Sequence, residues 1–155
     1  MRVFRVERKK YLETTLQGIG AARSSGFRWN SLYTRLVYTS ESRALALLEI
    51  SVHLDISEDL PTDRVYVEIE IPDSVSVQVL NPDNLPDTWD AKPPTSETQL
   101  IGDDFVMQQG AAVLKVPSAI VPASFNYLIN PLHPDARSIT VVSVIPLKFD
   151  FRIKQ

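Results

Sequence analysis

Three polar side chains stand where their types and surroundings could do chemistry: Arg28, Glu49 and Ser118. Arg28 lies in the loop-like run Gly26-Phe27-Arg28-Trp29-Asn30. A guanidinium forks onto phosphate oxygens in a bidentate way, and an aromatic neighbour can stack on a base or ring. The same run also suits a loop pinned to the core by Phe27 and Trp29, with Arg28 in solvent. Glu49 falls in a segment of helical spacing, about 40° from Leu45 and about 60° from Val52 on the wheel. A carboxylate beside an apolar stripe either pairs with a nearby arginine at the boundary or lines a cleft. Ser118 follows Pro117 at the end of a strand-like run, and Asn126 and Asn130 flank Tyr127-Leu128-Ile129. Side chains at strand ends bond ligands, but more often they bond their own backbone in turns.

Other chemistries lack their residues. The chain has no cysteine, which excludes disulfides, thiolate metal sites and a thiol nucleophile. Its two histidines, His53 and His133, sit in no HExxH pattern, so no metal is expected. Phosphate-loop, dinucleotide-loop and GxSxG signatures are missing. The start, MRVFRVERKK, is no secretory signal, and no apolar run is long enough to span a bilayer. A cytoplasmic protein is expected. The net charge of −3 is unevenly spread. The first fifty residues hold nine basic and four acidic side chains; the remainder hold seven and fifteen. Without an overall basic excess nucleic acid is a poor candidate partner, while an anionic small ligand near the basic N-terminal third fits.

The elements that must position these side chains come next. The 155 residues suffice for one domain, taken as 1–155, that buries about 68–70% of its unfolded surface. Eleven prolines against five glycines make the loops proline-shaped. Arg2–Val6 alternates like a strand, with Val3 and Arg5 on one side and Phe4 and Val6 on the other. Tyr11, Leu12 and Leu16 support a short helix, and Leu36–Thr39 a short strand. Ser40 is the expected N-cap of the clearest helix, whose apolar face is Ala44, Leu45, Leu48 and Val52. An acidic connection, 55–63, follows. Val65, Val67, Ile69 and Ile71 mark a half-exposed strand; Val75, Val77 and Val79 mark a second. Residues 81–98 carry four prolines and read as a long loop pinned by Leu85 and Trp89. A helix is expected over Glu97–Gln109, with Leu100, Ile101, Phe105 and Val106 inward and Gly110 as its stop. Val113–Val116 and Tyr127–Ile129 are short strands. Ile139–Ile145 reads as a buried strand, and Leu147–Ile153 alternates as a final one. With no regular βαβ rhythm, the fold class is α+β, one domain with a mostly antiparallel sheet core and flanking helices.

Four stretches together resemble the RES domain, the toxin half of RES–Xre toxin–antitoxin pairs. They are Gly26–Ser31, Val37–Glu49 with His53-Leu54, Val116–Pro122 and Asn126–Pro134. They occur in the family's order and spread over most of the chain. The family's Arg, Glu and Ser correspond to Arg28, Glu49 and Ser118, and its strand tyrosine to Tyr38. The resemblance implies a fold akin to ADP-ribosyltransferases and an enzyme that cleaves the nicotinamide–ribose bond of NAD, so depleting it, with NAD as substrate and no metal. The acceptor it implies is water, inorganic phosphate or a protein side chain. It further implies a homodimer bound to an Xre-type helix-turn-helix antitoxin that blocks the NAD cleft. In that scheme Glu49 stabilises the oxocarbenium ribose, Arg28 grips the pyrophosphate, Tyr38 stacks on or bonds the nicotinamide-ribose end, and Ser118 positions the ribose or nicotinamide. Trp29, Asn30 and Asn130 complete the binding set. Two departures stand beside Arg28. Phe27 replaces the family's second glycine, and Leu32-Tyr33 replaces a Pro-Gly turn. A protein that ADP-ribosylates one target and a silent domain that only binds its antitoxin are the alternatives.

Overall fold

The computed structural model describes residues 1–54 and 60–154. Residues 55–59 of the expected acidic connection lie outside that range. The elements, in chain order, are β1 (Arg2–Arg8), α1 (Ile19–Ala22), β2 (Val37–Ser40), α2 (Arg43–Ser51), β3 (Arg64–Glu70), β4 (Val77–Val79), α3 (Ser96–Gln108), β5 (Val113–Pro117), β6 (Phe125–Ile129) and β7 (Thr140–Pro146). Short 3-10 turns fill several connections, including Lys9–Thr14 where a helix was expected. The seven strands form one mixed sheet in the order β4-β5-β6-β2-β1-β3-β7. Only β4 and β5 run parallel, so the α+β reading with a mostly antiparallel sheet holds.

The alternation in the sequence decides which face is buried. Val65, Val67 and Ile69 point with Val3 and Val37 into one core, together with Val113, Tyr127 and Ile129. Leu114, Val116 and Leu128 point the other way and pack on Trp29, Leu36 and Phe105. Register then sets the polar neighbours on this second face. Ser40 on β2 lies opposite Asn126 on β6, which lies opposite Val116 on β5. Tyr38 lies one step along, opposite Leu128, so Tyr38, Ser40 and Asn126 share a face.

Helix α2 covers β1 and β2 on that face, but not in the expected orientation. Its N-cap is Ser42, whose Oγ accepts from the Leu45 N–H at 3.0 Å; the hydroxyl of Ser40 is spent elsewhere. Leu45 and Ala46 are buried, while Leu48 is 40% and Val52 51% exposed. Since Glu49 falls about 40° from Leu45 and about 60° from Ala46 on the wheel, the inward face is centred on Glu49, not bordered by it.

Further differences have physical causes. Val75 is buried in a turn, its N–H bonded to Pro72 O, and the strand shortens to Val77–Val79. Gln109, at φ 51°, takes the left-handed position that ends α3, one residue before Gly110. Leu100 faces outward, and the helix packs through Thr98, Gly102 and Phe105. The apolar run at β7 pairs only with β3; as an edge strand it leaves Val141, Val142, Val144 and Ile145 exposed. Leu147 and Phe149 are buried, but among the described residues no strand follows. Asp150 accepts from the Arg152 N–H and its side chain, bending the chain into a 3-10 turn.

Candidate functional site

The loop carrying Arg28 is held from four sides. The Trp29 side chain is buried in the core and stacks on Trp89 at 6.4 Å, so the loop over 81–95 is pinned as expected. Buried Asn30 donates through Nδ2 to the carbonyls of Ala21, Ser31 and Thr34 and accepts from Tyr38 Oη through Oδ1. Ser31 donates its N–H and its hydroxyl to the Asp103 carboxylate on α3. Gln99 donates to the carbonyls of Ser25 and Phe27. Gly102 makes the closest approach: a Cβ there would lie 1.5 Å from the Trp29 carbonyl oxygen. Only a glycine lets α3 rest directly on the loop backbone.

This mounting orients Arg28. Its Nη1 donates to the carbonyls of Trp89 (2.7 Å) and Ala91 (2.9 Å), using both of that nitrogen's hydrogens. Among the described residues no hydrogen bond engages Nε or Nη2, which leaves one fork of the guanidinium open. Burial lowers the Arg28 pKa, while the negative charges of Asp90 and Glu49 act against that shift. Tyr38 Oη donates to Asn30 Oδ1 at 2.7 Å and accepts from Trp29 N at 3.1 Å. Burial pushes this phenol well above the usual tyrosine range. Its ring packs against Phe27 at 4.9 Å.

Glu49 and Ser118 are brought into direct contact. Ser118 Oγ donates to Glu49 Oε1 at 2.8 Å and accepts from the N–H groups of Ile120 and Val121 at 3.1 Å each. Asn126 Nδ2 also donates to Glu49 Oε1, at 2.7 Å, and Ser40 Oγ donates to Asn126 Oδ1 at 2.7 Å. Fully buried Asn130 instead bonds Val106 O and the Leu132 N–H, with no bond to Glu49. Arg28, Tyr38, Glu49 and Ser118 thus gather in one region of one sheet face, with Trp29 and Asn30 buried beneath the Arg28 loop. Sequence reasoning passed over Gly102 and Asp103, which position the loop, and the link from Asn126 to Glu49. The signals for Asn126 were its place at a strand end and in one of the four RES-like stretches. Two open grooves, one lined by Arg23, Leu32, Tyr33 and Arg35 and one along Lys148–Arg152, contain none of these residues. The site is marked by its polar network. Among the described residues no group of three His, Cys, Asp or Glu could hold a metal, and no helix is long and apolar enough to cross a membrane.

The mixed seven-stranded sheet has a counterpart among solved structures. The crystal structure of the M. tuberculosis MbcT–MbcA toxin–antitoxin complex shares the fold, with a TM-score of 0.74 and 15% identity over 94% of this chain and 83% of that one. The RES domain family model matches residues 2–151, and the chain belongs to that family. It is 44% identical to the Prs ADP-ribosylating toxin of Sphingobium sp. (strain YBL2), over 94% of this chain and 90% of the relative. It is 34% identical to Toxin Res of Photorhabdus laumondii, over 99% of this chain and 97% of the relative.

Proposed function

We propose that this chain is a toxin enzyme that breaks the nicotinamide–ribose bond of NAD and is restrained by an antitoxin. The observation that carries the reading is the Glu49 carboxylate, turned inward and held on one oxygen by Ser118 and Asn126, with the Arg28 guanidinium close enough to feel its charge. The similarity to an ADP-ribosylating toxin agrees with it.

The chemistry follows from these groups. Cleavage breaks the C1′–N bond, and the electron pair goes to the pyridinium nitrogen, releasing neutral nicotinamide. Positive charge builds on the ribose, and the free oxygen of Glu49 meets it or holds a ribose hydroxyl. The open Nε/Nη2 fork of Arg28 takes the pyrophosphate. Tyr38 contributes its ring, because its hydroxyl is already engaged by Asn30 and Trp29. Ser118 has spent its single proton on Glu49, so it acts through that carboxylate. Trp29, Asn30 and Asn130 act by shaping the loop and the strand end. Water or inorganic phosphate completes the reaction at C1′; with water, the products are ADP-ribose, nicotinamide and a proton. An Xre-type antitoxin covering this face, and a toxin dimer, are the partners in this reading.

Two other readings rest on specific observations. The relative's name favours transfer of ADP-ribose to a protein side chain. The Phe27 ring on Tyr38 favours a domain that binds its antitoxin without turnover. Purified protein incubated with NAD, with and without phosphate, separates them. Nicotinamide release abolished by Glu49→Gln is expected. A labelled protein band from labelled NAD and cell extract, without bulk NAD loss, would replace the reading by the transferase. No product in any condition would leave the binding domain.

A further inference from the structure

The geometry points to Asn126, oriented by Ser40, as a positioning residue that holds Glu49 by one oxygen and thereby selects the other for the substrate. This rests on the proposed role of Glu49. The direction of every proton in the network follows from donor and acceptor chemistry. A carboxylate only accepts, so Asn126 must turn Nδ2 toward Glu49 Oε1, at 2.7 Å. Its Oδ1 then faces Ser40 Oγ at 2.7 Å, and Ser40 must donate. Ser118 Oγ accepts from two N–H groups, which occupies both lone pairs and sends its only proton to Oε1.

Both donors therefore end on Oε1. Among the described residues none reaches Oε2, which is the oxygen left to face a ligand. The placement is dictated by register, because Asn126 lies directly across from Ser40. Both are on the sheet face that α2 covers. Asn130, four residues further along, is bonded to Val106 and Leu132 instead. Without the Asn126 donor, Oε1 keeps one partner and the carboxylate can rotate. Misplacing a reacting group by about 1 Å can cost roughly 10²-fold in rate.

Steady-state NAD turnover by the full chain tests this. Asn126→Ala should lower kcat about 10- to 100-fold and leave KM for NAD within about twofold. Ser40→Ala should cost less. The double variant should be no worse than Asn126→Ala, because Ser40 acts only through Asn126. Asn126→Asp keeps the shape and the Ser40 bond but turns an acceptor on Glu49, so it should be at least as impaired; it serves if the alanine variant fails to fold. Parental kcat in both Asn126 variants, or losses that multiply in the double variant, would overturn the inference. If the parent shows no Glu49-dependent turnover, the proposed reaction falls by itself. The positioning role is then judged from a crystal structure of Asn126→Ala, where a Glu49 carboxylate still bonded in its original rotamer overturns it and one swung off Ser118 supports it.

Discussion

Gly102→Ala is the sharpest test of how the Arg28 loop is mounted. The added methyl carbon would sit 1.5 Å from the Trp29 oxygen and 2.7 Å from its carbonyl carbon. Ordinary van der Waals contact begins near 3.4 Å, so α3 and the loop must part by about 2 Å. No rotamer change relieves this overlap, because both offending atoms are backbone. Overpacking typically costs 1–3 kcal/mol, and a backbone clash belongs at the upper end, about 3 kcal/mol. For a chain of this size that lowers Tm by about 6–12 °C. Parting the helix from the loop also strains the Asp103–Ser31 and Gln99–Phe27 bonds and moves the Arg28 anchor. A displacement above 1 Å should cut any Arg28-dependent turnover by about 10² or more. The assays are urea unfolding and NAD consumption. A shifted midpoint at unchanged m-value is expected. A Gly102→Ala protein with parental midpoint and parental rate would refute the mounting.

Three further outcomes follow from the same geometry. Glu49→Gln should lose about 10²–10³ of NAD turnover while its unfolding free energy from urea titration stays within about 1 kcal/mol of the parent, measured side by side. Tyr33 adopts φ 74° and is 85% exposed. Tyr33→Gly should therefore raise stability by about 0.5–1 kcal/mol, the left-handed cost less the entropy of glycine, and an unchanged or lower midpoint contradicts it. Burial raises the Tyr38 phenol above its unfolded value near 10, and Tyr66 is raised in the same sense. The unfolded chain then loses these protons first. The stability they contribute is whole below about pH 10 and falls as pH rises above it. Urea midpoints from pH 8 to 11 should show this decline, and Tyr38→Phe should flatten it while lowering stability at neutral pH through unpaired Asn30 and Trp29 groups.

What the sequence alone determined is what short-range chemistry controls. The alternation of Val65, Val67 and Ile69 defined a strand and its buried face, and the prolines of 81–98 defined a loop with Trp89 as its pin. Arg28, Glu49 and Ser118 stood out as candidates only together, through the resemblance of their stretches to the RES domain; taken singly, each suited a structural role as well. Tertiary structure decided the rest. Ile139–Ile145 is apolar enough for a central strand, yet strand order placed it at an edge, and hydropathy carries no information about neighbours. The stripe Ala44-Leu45-Leu48-Val52 suggested one face of α2, but burial depends on what the helix lies against, and the sheet turned Glu49 to the middle. Ser40 and Asn126 are 86 residues apart and meet only through the β2–β6 register. Gly102 looked like an ordinary helix residue until a loop backbone from 73 positions earlier came to rest on it. Local sequence sets which elements form; the pairing of distant strands sets which polar atoms face one another, and that pairing is where the candidate site is made.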